Sequence, residues 1–328
     1  MYDVVIIGAG VTGLAAAMYA GRMNMKTLVL GASSGTEQAI GGIITLTEIV
    51  ENYPGFIRLS GSELAENIKK HAEDYKDNVT IDEDRVKEVE LCNEKGGFII
   101  KSDEKEYQSK SIIFATGAKW KKLPMKGAKE FENKGVHYCA LCDGPLYKNR
   151  VVAVVGGSDT AAKEALFFAE HASKVYIIYR GEKIRPEPVN AERVKKNEII
   201  TVINRTNIVE IMGDKKVSKI SLDNKYQGKD TLDVDAVFGA IGSTPISGLA
   251  KSLGVKTNEK GEIIIDHKES TTNIDGVFAA GDITDKDFKQ AITGVAEGVI
   301  AAHSAYKYVN ENEFVTTFYD REYLYIKV

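Results

Sequence analysis

The feature that most constrains this chain is a glycine pattern set directly behind its first strand. Tyr2–Ile7 is a mostly apolar run, and Gly8-Ala9-Gly10-Val11-Thr12-Gly13 follows at once. A helix pattern over Leu14–Met23 and a second strand at Thr27–Leu30 come next. The first glycine permits a tight turn, the second lets backbone approach a pyrophosphate, and the third lets helix and strand pack closely. The helix start adds N–H groups and a positive dipole end. This βαβ start implies a parallel sheet with helices on its faces. Gly8, Gly10 and Gly13 are thus candidate cofactor-binding positions. The acid that would bind a ribose hydroxyl at the end of the second strand is missing. Gly31 stands there, and the first acid beyond it is Glu37, so the ribose must be held in another way.

A second start of the same kind appears at Arg150–Val155, with Gly156-Gly157-Ser158-Asp159-Thr160-Ala161 as its loop. A helix pattern through about His171 and a strand at Val175–Tyr179 follow it. With 328 residues the chain exceeds a usual domain of roughly 100–200, so two dinucleotide-type domains are expected. Between the two starts lie a helix pattern at Glu63–Tyr75 and strands at Val86–Leu91 and Gly97–Ser102. After them come strands at Glu262–Asp266 and Val277–Ala280, then a long helix from about Phe288 to Val309. A formal charge of −4 gives no reason to expect a nucleic-acid partner. No apolar run approaches the roughly 18 residues of a membrane helix. The start lacks a basic leader, and three cysteines make no secreted disulfide framework, so the expected setting is cytoplasmic.

Two further motifs carry chemistry. Thr271–Asp282 ends in a strand followed by Gly281-Asp282. A carboxylate at such a strand end can accept a hydrogen bond from a ribityl hydroxyl, which favours FAD over NAD at the first site. His137-Tyr138-Cys139-Ala140-Leu141-Cys142-Asp143-Gly144 is a C-x-x-C followed by an acid. Zinc would need two more ligands, and the only other cysteine, Cys92, is isolated in a strand pattern that suggests a small buried hydrophobe. No metal site is expected. Thiol–disulfide exchange needs a nucleophilic thiolate, a resolving thiol and a proton source. Asp143 is the candidate acid, with a turn residue before Gly144 as its plainer reading. His137 could tune the thiols, but a lone histidine near a turn reads first as surface or hydrogen-bonded filler.

Taken together these residues resemble the low-molecular-weight thioredoxin reductase family, from Tyr2 to about Val309. The resemblance includes Gly41-Gly42 with Thr47–Gly55, Ala115-Thr116-Gly117, and Lys289-Gln290-Ala291. It implies an α/β fold of two Rossmann-like domains, the second inserted into the first. The FAD-binding domain would take residues 1–117 and 246–310, the NAD(P)H-binding domain with the cysteine pair 118–245, and an aromatic tail 311–328. It also implies a homodimer that passes electrons from NAD(P)H through FAD and the dithiol to a thioredoxin-like protein, with no membrane partner. On this resemblance Cys142 faces the flavin, Cys139 attacks the partner's disulfide and Asp143 matches the family's acid. Asn52, Asp282, Gln290 and Ala291 would surround the flavin, and Gly41, Gly42, Thr116, Gly117, Gly281 and Lys289 would complete its site.

Several positions depart from the family pattern. Ile43 replaces a glutamine after the paired glycines, and Ser158 replaces a glycine in the second loop, beside Gly156 and Thr160. Tyr179 and Gly181 stand where a His and an Arg would clamp a 2′-phosphate, while Arg180 and Arg185 remain. A nicotinamide donor is expected, NADPH or NADH, with relaxed selection between them; ferredoxin or a deazaflavin is the alternative. A flavin ferredoxin:NADP oxidoreductase would lack the cysteine pair, and a flavin-dithiol redox sensor is the non-enzymatic alternative. In the tail, Tyr323-Leu324-Tyr325-Ile326 suggests an added strand or interface packing, with stacking on the flavin as the second reading.

Overall fold

The computed structural model describes residues 1–32, 39–92 and 96–325, with the side chains from 313 onward left undescribed. Glu37 falls outside this range. The chain divides into two compact units, Met1–Lys119 with Thr244–Val328, and Trp120–Ser243.

The first unit begins with β1 (Tyr2–Ile7), α1 (Val11–Arg22), β2 (Thr27–Gly31), α2 (Gly61–Glu73), β3 (Val79–Glu83), β4 (Val86–Leu91), β5 (Phe98–Ser102) and β6 (Glu106–Phe114). The strands β3, β2, β1 and β6 lie side by side in parallel, and β4–β5 fold back onto β6 as an antiparallel pair. Val4, Val5, Ile6 and Ile7 are all buried, as a central parallel strand covered on both faces requires. Ser60 and Glu63 form a capping box that fixes where α2 starts.

The chain then passes through β7 (Ala118–Trp120) into the second unit. There it forms β8 (Val136–His137), α3 (Ala140–Asp143), β9 (Val151–Val155), α4 (Asp159–Ala169), β10 (Lys174–Ile178), α5 (Pro188–Lys196) and β11 (Ile200–Ile203). A meander β12 (Ile208–Gly213), β13 (Val217–Tyr226) and β14 (Lys229–Asp233) precedes β15 (Ala236–Gly239). The parallel sheet runs β11-β10-β9-β15-β8. Ala161, Ala165 and Phe168 of α4 pack on one face against Val152, Val154 and Ile177. Ile211, Val217 and Ile220 of the meander cover the other face, against Ala153 and Val237.

The return passes through β16 (Ser243–Pro245) to α6 (Gly248–Ser252), β17 (Val277–Ala279) and α7 (Ala291–Tyr325). β17 joins the first sheet in parallel beside β6, and α1 and α7 share one apolar layer through Ala16, Ala20, Ala301 and Ala305. Two hydrogen bonds knit exit to return within this unit: Thr116 Oγ1 donates to Ile246 O at 2.7 Å, and Ile246 N donates to Gly117 O at 3.0 Å. The fold is the expected α/β type, with two Rossmann-like units, the second inserted into the first. Among the described residues no helix is long and apolar enough to cross a membrane.

Three expectations fail. Glu262–Asp266 is not a strand: Ile263 bridges both Thr257 and Thr284, while Asp266 bridges Thr271, so no continuous ladder forms. The tail is not an added strand, because α7 runs on through Tyr325. No glycine or proline interrupts residues 299–325, so nothing in the sequence stops the helix. Whether tail side chains meet an interface or a flavin lies outside the described residues. Cys92 is half-buried, not buried.

The α1–α7 contact is made at backbone level. A Cβ on Gly298 would lie 2.4 Å from Thr12 O, and one on Gly294 would lie 2.6 Å from Thr12 Oγ1. Alanine at Gly298 improves helix propensity by about 1 kcal/mol in isolation. It should nevertheless destabilise the protein by about 1–3 kcal/mol through forced separation of the helices. Urea unfolding measures this, and an unchanged or raised midpoint for Gly298→Ala would refute the close packing.

Glu164 on α4 has a buried carboxyl oxygen with no hydrogen-bond partner, and burial pushes its pKa up from 4.5 to about 8. The folded protein therefore holds the proton longer than the unfolded chain. Stability contributed by neutral Glu164 is complete below pH 4.5 and drains away as pH rises to about 8. Glu164→Gln should gain on wild type progressively across that window. A stability difference independent of pH between 5 and 9 in denaturant titrations would contradict it.

Candidate active site: two nucleotide cradles and a disulfide

In the first unit the glycine loop is shaped by backbone contacts. Gly8 has φ +112°, and a Cβ there would lie 2.3 Å from Ala115 O, so only glycine fits between β1 and the end of β6. Gly13 packs against Gly8 O, where a Cβ would come within 1.9 Å. Gly41 lies alongside Gly10 as a parallel bridge and donates its N–H to Ala9 O at 2.8 Å. Gly10 caps α1 with no side-chain hydrogen bond, and the first turn carries no acid. The free N–H groups there suit a pyrophosphate.

Asp282 follows β17. Burial raises its carboxyl above the usual carboxylate range, against the pull of Lys286 and Lys289. Among the described residues that carboxyl makes no hydrogen bond. A half-buried acceptor without a donor at a strand end fits the hydroxyls of a ribityl chain. Asn52 Nδ2 donates to Gln290 Oε1 at 3.0 Å, joining two residues 238 apart in sequence. Gln290 N donates to Thr293 Oγ1 at 3.1 Å, so α7 begins at Ala291 and not at Phe288. Lys289 turns to Glu262 Oε1 at 2.5 Å and to Asp282 O at 3.0 Å. Thr116 spends its hydroxyl on Ile246 O. The residues present fit FAD.

One residue of this site is absent from the sequence reading. Glu297 of α7 is 7% exposed, and its Oε2 accepts from Gly281 N at 2.6 Å, Thr284 Oγ1 at 3.0 Å and Lys286 Nζ at 3.1 Å. It clamps the turn that carries Asp282. A lone glutamate in a helix pattern gives no sign of this; only a buried helical position one turn from Gly294 hints at it.

In the second unit Gly156 has φ +156°, and a Cβ would lie 2.2 Å from Ala240 O, repeating the first loop's strand-end contact. Ser158 caps α4 without a side-chain hydrogen bond, and both Ser158 and Thr160 are exposed. Asp159 is held by Glu187 N at 2.9 Å, Asn190 Nδ2 at 2.8 Å and Lys163 Nζ at 2.8 Å. Despite burial, those donors lower its pKa and keep its carboxylate engaged at the start of α4. Arg180 and Arg185 are exposed and make no ion pair among the described residues, which suits a phosphate-bearing nucleotide. Tyr179 lies flat against the loop: a Cβ on Gly157 would come within 2.4 Å of its ring, and one on Gly181 within 2.6 Å.

Cys139 and Cys142 are joined as a disulfide, Cα to Cα 5.3 Å, with Cys139 capping α3 and accepting from Cys142 N at 3.1 Å. Cys142 is exposed and Cys139 half-buried. Asp143 Oδ2 stands 3.1 Å from Nδ1 of His137, within ion-pair reach but not aligned for a hydrogen bond. His137 is 4% exposed, so it is not a surface residue, and its Nε2 is hydrogen-bonded with Tyr147 Oη at 2.8 Å. No cluster of His, Cys, Asp and Glu suited to a metal occurs among the described residues.

Glu297→Ala would deprive Gly281 N and the half-buried Lys286 ammonium of their carboxylate, while Thr284 Oγ1 could still donate to Gly281 O at 2.9 Å. It should cost about 3 kcal/mol of stability and lower the flavin retained through dialysis, with Glu297→Gln intermediate. Full retention and an unchanged unfolding midpoint in Glu297→Ala would remove Glu297 from the site.

These features agree with known proteins. Residues 2–298 match the family described as pyridine nucleotide-disulphide oxidoreductase. The chain is 38% identical to the thioredoxin reductase of Treponema pallidum over 311 residues, covering 94% of this chain and 97% of that protein. It is 37% identical to the thioredoxin reductase of Bacillus subtilis, covering 95% and 96%. The crystal structure of Lactococcus lactis thioredoxin reductase superimposes with a TM-score of 0.88 at 37% identity, covering 95% of this chain and 100% of that one. The match runs over nearly the full length of this chain and of these relatives, and this chain belongs to the pyridine nucleotide-disulphide oxidoreductase family, among the thioredoxin reductases.

Proposed function

We propose that the chain reduces the disulfide of a thioredoxin-like protein with electrons from NAD(P)H. The observation that carries this reading is the Cys139–Cys142 disulfide backed by Asp143, on the same chain as a cradle that fits FAD. The first unit, with Gly8, Gly10, Gly13, Gly41, Gly42, Asn52, Gly281, Asp282 and Gln290, would hold FAD. The second, with Gly156, Ser158, Thr160, Arg180 and Arg185, would hold the nicotinamide nucleotide. The chemistry FAD supplies when bound is a two-electron store between hydride donor and disulfide.

The chain's own residues do the rest. Gly10 and the start of α1 present N–H groups to pyrophosphate, and Asp282 orients a hydroxyl chain. Cys139 attacks the partner's disulfide, Cys142 resolves the mixed disulfide and Asp143 protonates a leaving thiolate. The order of the cysteines rests on family resemblance. The homodimer and cytoplasmic setting belong to this proposal as well.

The free Arg180 and Arg185 support a phosphate-bearing donor, whereas Tyr179 and Gly181 weaken the clamp. NADPH should therefore surpass NADH by less than about 100-fold, roughly 2.7 kcal/mol. Anaerobic titration reads this from bleaching of the flavin band. Bleaching by reduced ferredoxin but by neither nicotinamide would transfer the donor role. Cys142→Ser should keep its flavin, lose turnover and trap a mixed disulfide between Cys139 and thioredoxin, visible by intact mass. Retained turnover would end the dithiol mechanism.

A further inference from the structure

Behind the disulfide the second unit carries a buried polar chain that the mechanism above does not use. His137 ends β8, and strand register sets it beside Phe238 of β15, on which its ring stacks with centroids 5.2 Å apart and planes at 26°. Tyr147, at the end of the 3₁₀ turn Gly144–Tyr147, closes edge-on against both rings. The imidazole is thereby locked with one nitrogen on each side. Nε2 lies 2.8 Å from Tyr147 Oη, and Nδ1 lies 3.1 Å from Asp143 Oδ2. Tyr147 is half-buried while His137 is almost fully enclosed, so the row runs from the domain edge through the core to the acid beside Cys142.

We propose that His137 is a positioning residue for disulfide exchange, turning its 3.1 Å contact with Asp143 into a hydrogen bond when that acid ionises and returning protons to it through Tyr147. The inference rests on the dithiol reading above. Its chemistry balances. The Cys139 thiolate forms a bond to one partner sulfur as the partner's S–S bond breaks, and the expelled thiolate takes the Asp143 proton. Asp143, now a carboxylate, faces Nδ1–H of a neutral His137, whose Nε2 accepts from Tyr147 O–H. Cys142 then attacks Cys139 Sγ, the internal disulfide forms, and the second partner thiolate leaves. The Cys142 proton passes to Asp143, and one solvent proton completes the partner dithiol. Where Cys142 is already a thiolate, the relay supplies the proton instead: Nδ1–H passes to Asp143 as Tyr147 O–H passes to Nε2 and solvent reprotonates Tyr147 Oη. Before the next turnover Nε2–H returns through Tyr147 to solvent, Nδ1 takes the proton of Asp143, and half-exposed Asp143 takes one from solvent.

The electrostatics suit a neutral relay. Burial holds His137 below its ordinary pKa, opposed by Asp143, and burial raises Tyr147, assisted by Asp143 and Asp235. The groups facing the imidazole are Asp143 of α3, Tyr147 of the turn and the apolar ring of Phe238; Asp235, before β15, acts on Tyr147 and is itself 3.6 Å from Arg150. A neutral imidazole can carry one hydrogen on either nitrogen, so it can pass a proton without holding a charge in the core.

The test uses full-length holoenzyme, reduced with dithionite, then mixed with dithiobis(nitrobenzoate) or thioredoxin in a stopped-flow instrument from pH 5.5 to 9. In wild type the expected proton inventory in mixed H₂O/D₂O is curved, showing more than one proton in flight. His137→Gln keeps a polar side chain that cannot relay. It should slow exchange by about tenfold, below the ~10²–10⁴ of a general acid itself, straighten the inventory and shift the pH profile. Tyr147→Phe keeps the packing and should reproduce the straightened inventory even where His137 variants fold poorly. Wild-type rate, pH profile and inventory in both variants would overturn the relay. Failure of wild type to reduce either disulfide would instead overturn the dithiol reading on which it rests.

Discussion

The first unit depends on how closely two helices approach at Thr12. Its carbonyl and side chain fill the space left by Gly298 and Gly294 on α7 and by Gly281 at the end of β17. The three glycines lie far along the chain from Thr12, yet each lacks a Cβ where Thr12 would strike it. Closing this contact fixes the axis of α1 and so the direction of its uncapped N–H groups. It sets the strand end that carries Asp282, and it brings Glu297 within reach of Gly281 N. Phosphate cradle and buried acid are therefore one mechanical object. Stability and cofactor geometry in this unit draw on the same few contacts.

That coupling explains which parts were legible in the sequence. Gly8, Gly10 and Gly13 could be read because a tight turn and a close helix leave a signature within six residues. The cysteine pair and Asp143 are equally local. Asn52 and Gln290 were placed by family resemblance, and nothing local shows that they would meet. Glu297 was illegible because its work is tertiary: its three donors come from a turn that the fold delivers to it. Glu262–Asp266 looked like a strand because Ile263, Ile264 and Ile265 form a β-branched apolar run. Those residues are spent on bridges to separate segments, so local pattern and hydrogen bonding part company. The tail's aromatic and β-branched residues favoured a strand. Helix α7 meets no glycine or proline after Gly298, and continuing it satisfies the backbone at once.

The two nucleotide loops show the same architecture under different demands. Both begin with a glycine pressed against a neighbouring strand end, Gly8 on Ala115 O and Gly156 on Ala240 O. They diverge one turn later. The first loop leaves the start of α1 free of acids, whereas the second places Asp159 at the start of α4 and neutralises it with Lys163 and Asn190. Attraction for an anion at α4 must therefore come from outside the helix, from Arg180 and Arg185 beyond β10. Arg180 and Arg185 are both exposed, and the Tyr179 ring, not a cation, lies against Gly157 and Gly181.

Glu297, Asp282, Glu164 and Asp143 differ in their surroundings, which sort them by task. Glu297 accepts from three donors and holds the turn that supplies them. Asp282 has cations nearby but no donor, which leaves it ready for a hydroxyl. Glu164 has neither and keeps its proton, so it weakens the fold as pH rises. Asp143 differs from all three. It is partly exposed, beside a disulfide, with a neutral imidazole at its back whose only other neighbour of consequence is a phenol. A group that must release a proton and then recover it cannot sit in a fixed ion pair, which would hold it ionised, nor in an apolar pocket, which would hold it neutral. Asp143 sits in neither setting: it is half-exposed, and the His137 imidazole stands 3.1 Å away.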